Sequence, residues 1–153
     1  RANPDVAQVI PAKSGIEIEV PKPVRGDSDL YLVGLQEADI AYVIEKNKLA
    51  LKEGRLLQPR ASEIMLSEKV AIALGLQVGD TIDRSLDTDL YDDIVEPMEV
   101  VGIMGGDIRL AIVPYEYLAS HELYRDKVLS ALLVEPQAGR EVAVGGFLVN
   151  NNQ

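Results

Sequence analysis

Apolar residues recur at helical spacing between residues 37 and 52, where Ile40, Val43, Ile44, Leu49 and Leu51 share one side. Asp39 lies near the start of this stretch and Lys46, Lys48 and Lys52 toward its end, the charge order a helix dipole favours. The pattern predicts an amphipathic helix stopped by Gly54. Residues 15–20 alternate, residues 21–29 (PKPVRGDSD) have loop composition, and residues 30–35 form an apolar strand. Residues 63–66 predict a short strand. Ser67 then caps a second helix, with Glu68 at its positive end, and Gly75 closes it. That helix is too short to survive alone in water, so Val70, Ala71 and Leu74 must be held by packing. After Gly79 and Asp80 the chain resumes as strand through Thr81 and Ile82.

Further on, residues 85–97 read as a long loop. MEVVGIM (98–104) and IRLAIV (108–113) flank Gly105, Gly106 and Asp107, which predicts a hairpin. Pro114 opens a short helix carrying Tyr115, Tyr117 and Leu118. Residues 128–134 are apolar on both parities, as in a strand covered on both faces, and a last helix follows from Gly139. The sum is an α+β chain of seven or eight strands and three or four short helices, without the strict alternation of a doubly wound sheet.

Composition narrows the function classes. With 153 residues, 47% of them hydrophobic and 26% charged, the chain can bury one ordinary-sized core. A formal charge of -10 and a pI near 4.5 repel phosphate backbones, which excludes nucleic acid as a partner. There is no cysteine and a single histidine, so thiolate sites and imidazole-rich metal centres disappear together. No stretch approaches the roughly 20 apolar residues of a membrane-spanning helix. The chain begins at Arg1 with no basic-then-apolar leader and reads as a piece of a longer protein.

The most informative stretch is EIMLSEKVAIALGLQVGDTI (63–82): strand, capped helix, glycine stop, tight turn, strand. EGRLL (53–57) precedes it, and an acidic loop, VVGIM (100–104) and AIVPYEYL (111–118) follow. In that order, over about residues 30–134, the series resembles the extracytoplasmic core domain of MacB-like and FtsX-like ABC-transporter permease subunits. The resemblance implies a two-lobed domain, a small β-α-β lobe from about residues 1–50 and 127–153 with an inserted strand-rich lobe of about 54–125. It further implies a place outside the cytoplasmic membrane, between the first transmembrane helix and three others. The implied partners are a second permease subunit, a separate ATP-binding subunit or domain, and an adaptor or cargo protein. The domain itself would catalyse nothing and bind no cofactor or metal. Gly54, Arg55, Gly75, Leu76, Gly79, Asp80, Val101 and Gly102 match the family pattern and would determine the fold.

Other candidate sites are weaker. Asp83, Asp87, Asp89, Asp92, Asp93, Glu96 and Glu99 surround Arg84 alone, and Asp87, Asp89 and Asp92 or Asp93 could offer oxygens to calcium. The glycine expected at the sixth position of a calcium loop is Asp92, so a solvated surface loop is the better reading. His121, in SHELYRD, could act as a general base, but the setting is that of a histidine capping carbonyls at a helix end. Lys13, Ser14 and Gly15 lack the order of a phosphate loop, and Gly102, Gly105 and Gly106 lack dinucleotide spacing. Tyr31, Tyr42, Tyr91, Tyr115, Tyr117 and Tyr124, with Leu118 and Leu123, could supply an interaction surface or simply pack. Two other classes are open. LGLQVGD (74–80) also occurs in double-psi barrels, which allows a barrel-type substrate- or cofactor-binding domain of a cytosolic enzyme. Carboxylates such as Asp80 or Asp83 allow a hydrolase, on composition alone.

Overall fold

The computed structural model describes residues 6–14, 17–19, 29–83, 94, 96–125 and 128–136. Its elements run β1 (Val6–Ser14), β2 (Glu17–Glu19), β3 (Asp29–Leu35), α1 (Glu37–Lys46), β4 (Leu51–Gly54), β5 (Glu63–Ser67), α2 (Glu68–Leu74), β6 (Thr81–Ile82), β7 (Met98–Met104), β8 (Ala111–Pro114), α3 (Tyr115–Ser120), a 3-10 turn (Glu122–Tyr124) and β9 (Leu129–Pro136). The class is α+β, as the pattern predicts. The strands form one mixed sheet in the order β4-β7-β5-β8-β3-β1-β9, with β2 paired to β3 and β6 to β7.

All five residues of β5 are buried, because both faces of the sheet are covered there. Ile64 and Leu66 of β5 face a core that takes Val70 and Ala71 from α2, Tyr117 and Leu118 from α3, and Leu32, Ala111 and Val113 from the neighbouring strands. Met65 faces the other way, into a core with Ile40, Val43 and Ile44 of α1, Ile10, Leu35, Leu49, Leu57 and Ile112. Each core combines residues distant in sequence. β8 is parallel to β3 on one side and antiparallel to β5 on the other. The ladders therefore run unbroken between the two stretches of chain that the resemblance assigns to separate lobes.

Three local expectations are corrected. The helix expected over residues 37–52 ends at Lys46: Asn47 turns back on it, Lys48 adopts a positive φ of 55°, and residues 51–54 become the edge strand β4. Leu49, buried at 1% exposure, is drawn into the core beneath α1 rather than onto its face. Gly54 thus ends a strand, not a helix. Second, β7 and β8 do not form a hairpin, because β5 lies between them, parallel to β7 and antiparallel to β8. The glycine-rich link leads away from β7, and Gly105 N–H donates to Ala50 O at 2.6 Å. Third, Ser67 occupies the N-cap position of α2 but makes no side-chain cap. Its Oγ instead accepts from Leu110 N–H at 3.0 Å, while its own N–H donates to Leu110 O. The structure also adds an amino-terminal strand, β1, for which the pattern gave no expectation and which pairs with both β3 and β9.

Other expectations hold. β9 forms where the apolar run predicts a strand, at one end of the strand order. Gly75 closes α2 with φ 68° and ψ 31°, Leu76 N–H reaching Ala71 O and Gly75 N–H reaching Ile72 O, the double bond of a Schellman cap. Most of the loop at 21–29, most of the acidic loop and the helix expected from Gly139 lie outside the described residues.

Candidate functional site

Of the residues singled out as fold-determining, Gly75 and Leu76 close α2, and the other six meet at three consecutive positions of β7. Arg55 N–H donates to Val101 O at 2.8 Å, and Gly54 and Gly102 pair across β4 and β7. Nearer the start of β7, Gly79 N–H donates to Val100 O and Val100 N–H to Asp80 O, each at 2.8 Å. Val101 itself is an inserted residue: Ile64 pairs with Val100 and Met65 with Gly102. A bulge of this kind interrupts the ladder and calls for other partners, which the 54–55 and 79–80 turns supply. Asp80 Oδ2 accepts from Gln77 N–H at 2.8 Å, so its carboxylate organises a turn. Asp83, just after β6, is half-buried.

Arg55 extends this structure. Its guanidinium forks onto Glu63, Nη2 to Oε1 at 2.5 Å and Nη1 to Oε2 at 3.0 Å, and Gln58 N–H also donates to Oε2. The bond from Arg55 and the Gln58 amide hold the buried Glu63 carboxyl below its usual range, against the opposing effect of burial. The pair ties the chain after β4 to the start of β5.

A second polar cluster surrounds Glu96. One carboxylate oxygen accepts from Ser62 Oγ, the other lies 2.7 Å from His121 Nε2, and the Glu96 carbonyl accepts from Tyr117 O–H at 2.7 Å. The imidazole sits edge-on to Tyr117 and Tyr124, at centroid distances of 5.2 and 5.5 Å. Burial, then the neighbouring Tyr124, push the Tyr117 phenol above its usual value. His121 therefore grips a side chain 25 positions upstream rather than capping α3, and sequence spacing carries no sign of it. Because the carboxylate stands between serine and imidazole, His121 cannot take a proton directly from Ser62, as a nucleophile and base must be arranged. The cluster acts as a clamp that fastens the approach to β7 onto α3.

Two clefts adjoin the clamp. One, of about 170 Å³, is lined by Leu35, Ile40, Pro59, Pro114 and Tyr115 with Gln36, Glu37 and Gln58. The other, of about 260 Å³, is lined by Ser62, Glu96, Tyr117, Ser120 and His121. Arg60 and Glu116 belong to both. Sequence reasoning missed Arg60, whose only signal is its place in a Gln-Pro-Arg turn.

The remaining candidates disperse. Tyr117 and Tyr124 are buried, and Tyr42 packs against the α1 core. Lys13 lies within β1, bonds Ser130 Oγ at 2.7 Å and sits 5.8 Å from the Tyr115 ring centre. Tyr91 and Asp87, Asp89, Asp92 and Asp93 fall outside the described residues, as does Gly15. Among the described residues no group of three or more acidic or histidine side chains could hold a metal, and no helix is long and apolar enough to cross a membrane.

No protein-family model and no curated protein matches this sequence. Solved structures do. The periplasmic region of MacB from Actinobacillus actinomycetemcomitans superposes with a TM-score of 0.56 at 17% identity, over 88% of this chain and 60% of that one. The chain has the fold of the MacB periplasmic region. The extracellular domain of the noncanonic ABC-type transporter YknZ from Gram-positive bacteria gives 0.53 at 16% identity, over 94% of this chain and 72% of that one. A domain of a Porphyromonas gingivalis protein assigned as a permease gives 0.51 at 12%, over 88% and 57%. The chain thus spans about three-fifths of the MacB region. Within the MacB-like fold the described strands end in β4 and β9 without closing on each other, so the fold does not favour the sealed-barrel alternative.

Proposed function

We propose that this chain is the non-catalytic extracytoplasmic domain of an ABC-transporter permease subunit, coupling cytoplasmic ATP hydrolysis to export, extraction or signalling at the outer face of the membrane. The observation that carries this reading is the fold shared with the MacB periplasmic region and the YknZ extracellular domain. Fold alone does not dictate function, so the sites must agree. They do: six of the eight family-matching positions form or bond to β7 and the other two, Gly75 and Leu76, close α2, and the Ser62–Glu96–His121 geometry is that of a clamp.

In this reading the chain works with a second permease subunit, an ATP-binding subunit or domain, and an adaptor or cargo protein. Two lobes, about residues 1–50 with 127–153 and about 54–125, shift relative to one another as ATP closes the cytoplasmic dimer. The parallel β3/β8 ladder and the α1 core join the two stretches. Relative motion is accordingly a small shear rather than a wide opening. The test is the flanking coding sequence together with topology mapping of the full-length protein. The expected result is one hydrophobic helix before Arg1, three after Gln153 and external reporter signal from the domain. A stand-alone cytosolic chain would overturn the proposal.

A further inference from the structure

Arg60 and Glu116 stand on the wall common to the two clefts. Both are exposed, and among the described residues neither side chain enters an ion pair. Two opposite charges that share a wall without pairing leave room between them for a ligand that carries both. Arg60 also holds a φ of 63°, a conformation that a long side chain adopts rarely and that points to a constraint other than local preference. The apolar cleft beside this wall, at about 170 Å³, is close to the roughly 150 Å³ of a cavity that accepts benzene. It therefore admits one phenyl- or isobutyl-sized group.

We propose that this wall binds a free apolar α-amino acid in its zwitterionic form. The Arg60 guanidinium receives the carboxylate, for which its planar fork is suited. The Glu116 carboxylate receives the ammonium, and the side chain fills the cleft between Leu35, Ile40, Pro59 and Tyr115. Glu37, which also borders the apolar cleft, adds negative charge and so selects against a ligand that offers a carboxylate alone. The site is independent of the transporter reading and requires no partner chain.

The experiment is a titration of the 153-residue chain with L-phenylalanine and L-leucine, followed by two-dimensional NMR. The expected result is saturable binding, with shifts centred on Leu35, Ile40, Arg60, Tyr115 and Glu116. N-acetyl-L-phenylalanine, which lacks the ammonium, and L-phenylalaninamide, which lacks the carboxylate, should each bind at least about tenfold more weakly. Arg60→Gln and Glu116→Gln should each weaken L-phenylalanine by a similar factor. The ligand series is measured on the native chain and so decides the matter even where a variant unfolds. No saturable binding of L-phenylalanine at about 10 mM overturns the proposal. So does equal affinity for N-acetyl-L-phenylalaninamide, which would reveal an uncharged apolar crevice only, and so does undiminished affinity in both folded variants.

Discussion

A side chain on Gly54 has no room, because a Cβ there would lie 1.9 Å from the carbonyl oxygen of Val101. The obstacle is backbone, and it belongs to the bulge that sets the faces of β7. Gly54 also has a φ of 77°. Gly54→Ala should therefore cost about 3 kcal/mol or more, since the strand pair must part before the methyl group fits. Gly75 gives the comparison: its φ is 68°, yet a Cβ there meets nothing within 4 Å. Gly75→Ala should cost about 1 kcal/mol, the left-handed conformation alone. Urea unfolding of both variants checks the order, and equal losses would contradict the bulge as the cause.

The Arg55–Glu63 fork makes stability depend on pH. The bond to Arg55 lowers the folded-state value of Glu63 below its ordinary 4.5. A depressed acid contributes stability that is fully present above the unfolded value and disappears as pH falls through the folded one. Glu63→Gln should cost about 1–2 kcal/mol near pH 7, discounted because the Arg55 side chain is 47% exposed. The gap between variant and native chain should close as the pH is taken well below 4.5. Urea midpoints across that range test it, and a pH-independent gap would count against the ion pair.

Ser67 bonds Leu110 through both its side chain and its backbone, at a position that is fully buried. Ser67→Ala leaves the Leu110 N–H without its acceptor and should cost about 1–2 kcal/mol. Because the hydroxyl caps nothing in α2, helix content by circular dichroism should remain unchanged while the melting temperature falls. A loss of helix signal in the folded variant would restore the capping role that sequence alone implies.

Around Glu96 the two bonds differ in burial. Tyr117→Phe removes a buried donor and should cost about 1 kcal/mol, whereas the His121–Glu96 pair, with side chains 28% and 46% exposed, should show a coupling below about 1 kcal/mol in a double-mutant cycle. The buried phenol stays neutral through the range in which exposed tyrosines ionise, so its stabilisation is complete below about pH 10 and fades as pH rises beyond. Ultraviolet titration of native chain against Tyr117→Phe checks this. A tyrosinate signal in the native chain that rises early and is missing from the variant would refute it.

Much of this was readable along the chain. The Gly75 cap, the 79–80 turn and most strands follow from local chemistry: a glycine needed at a left-handed position, an acid at a helix start, an apolar run of strand length. The failures share one cause. The 98–113 segment has every local feature of a hairpin, yet β5 arrives from more than thirty residues upstream and takes the place between its arms. Leu49 and Leu51 continue the helical period of α1, but the core beneath the helix claims Leu49 and stops the helix early.

By itself the sequence determined the α+β class, the turn positions and the polarity of the surface, since these depend on backbone preference, hydrophobic period and charge within a few residues. Tertiary structure alone decided the strand order, the Val101 bulge, the grip of His121 on Glu96 and the wall shared by Arg60 and Glu116. Each of these is a meeting of distant segments, selected by which neighbours bury both faces of β5, and no local pattern of residues encodes that choice.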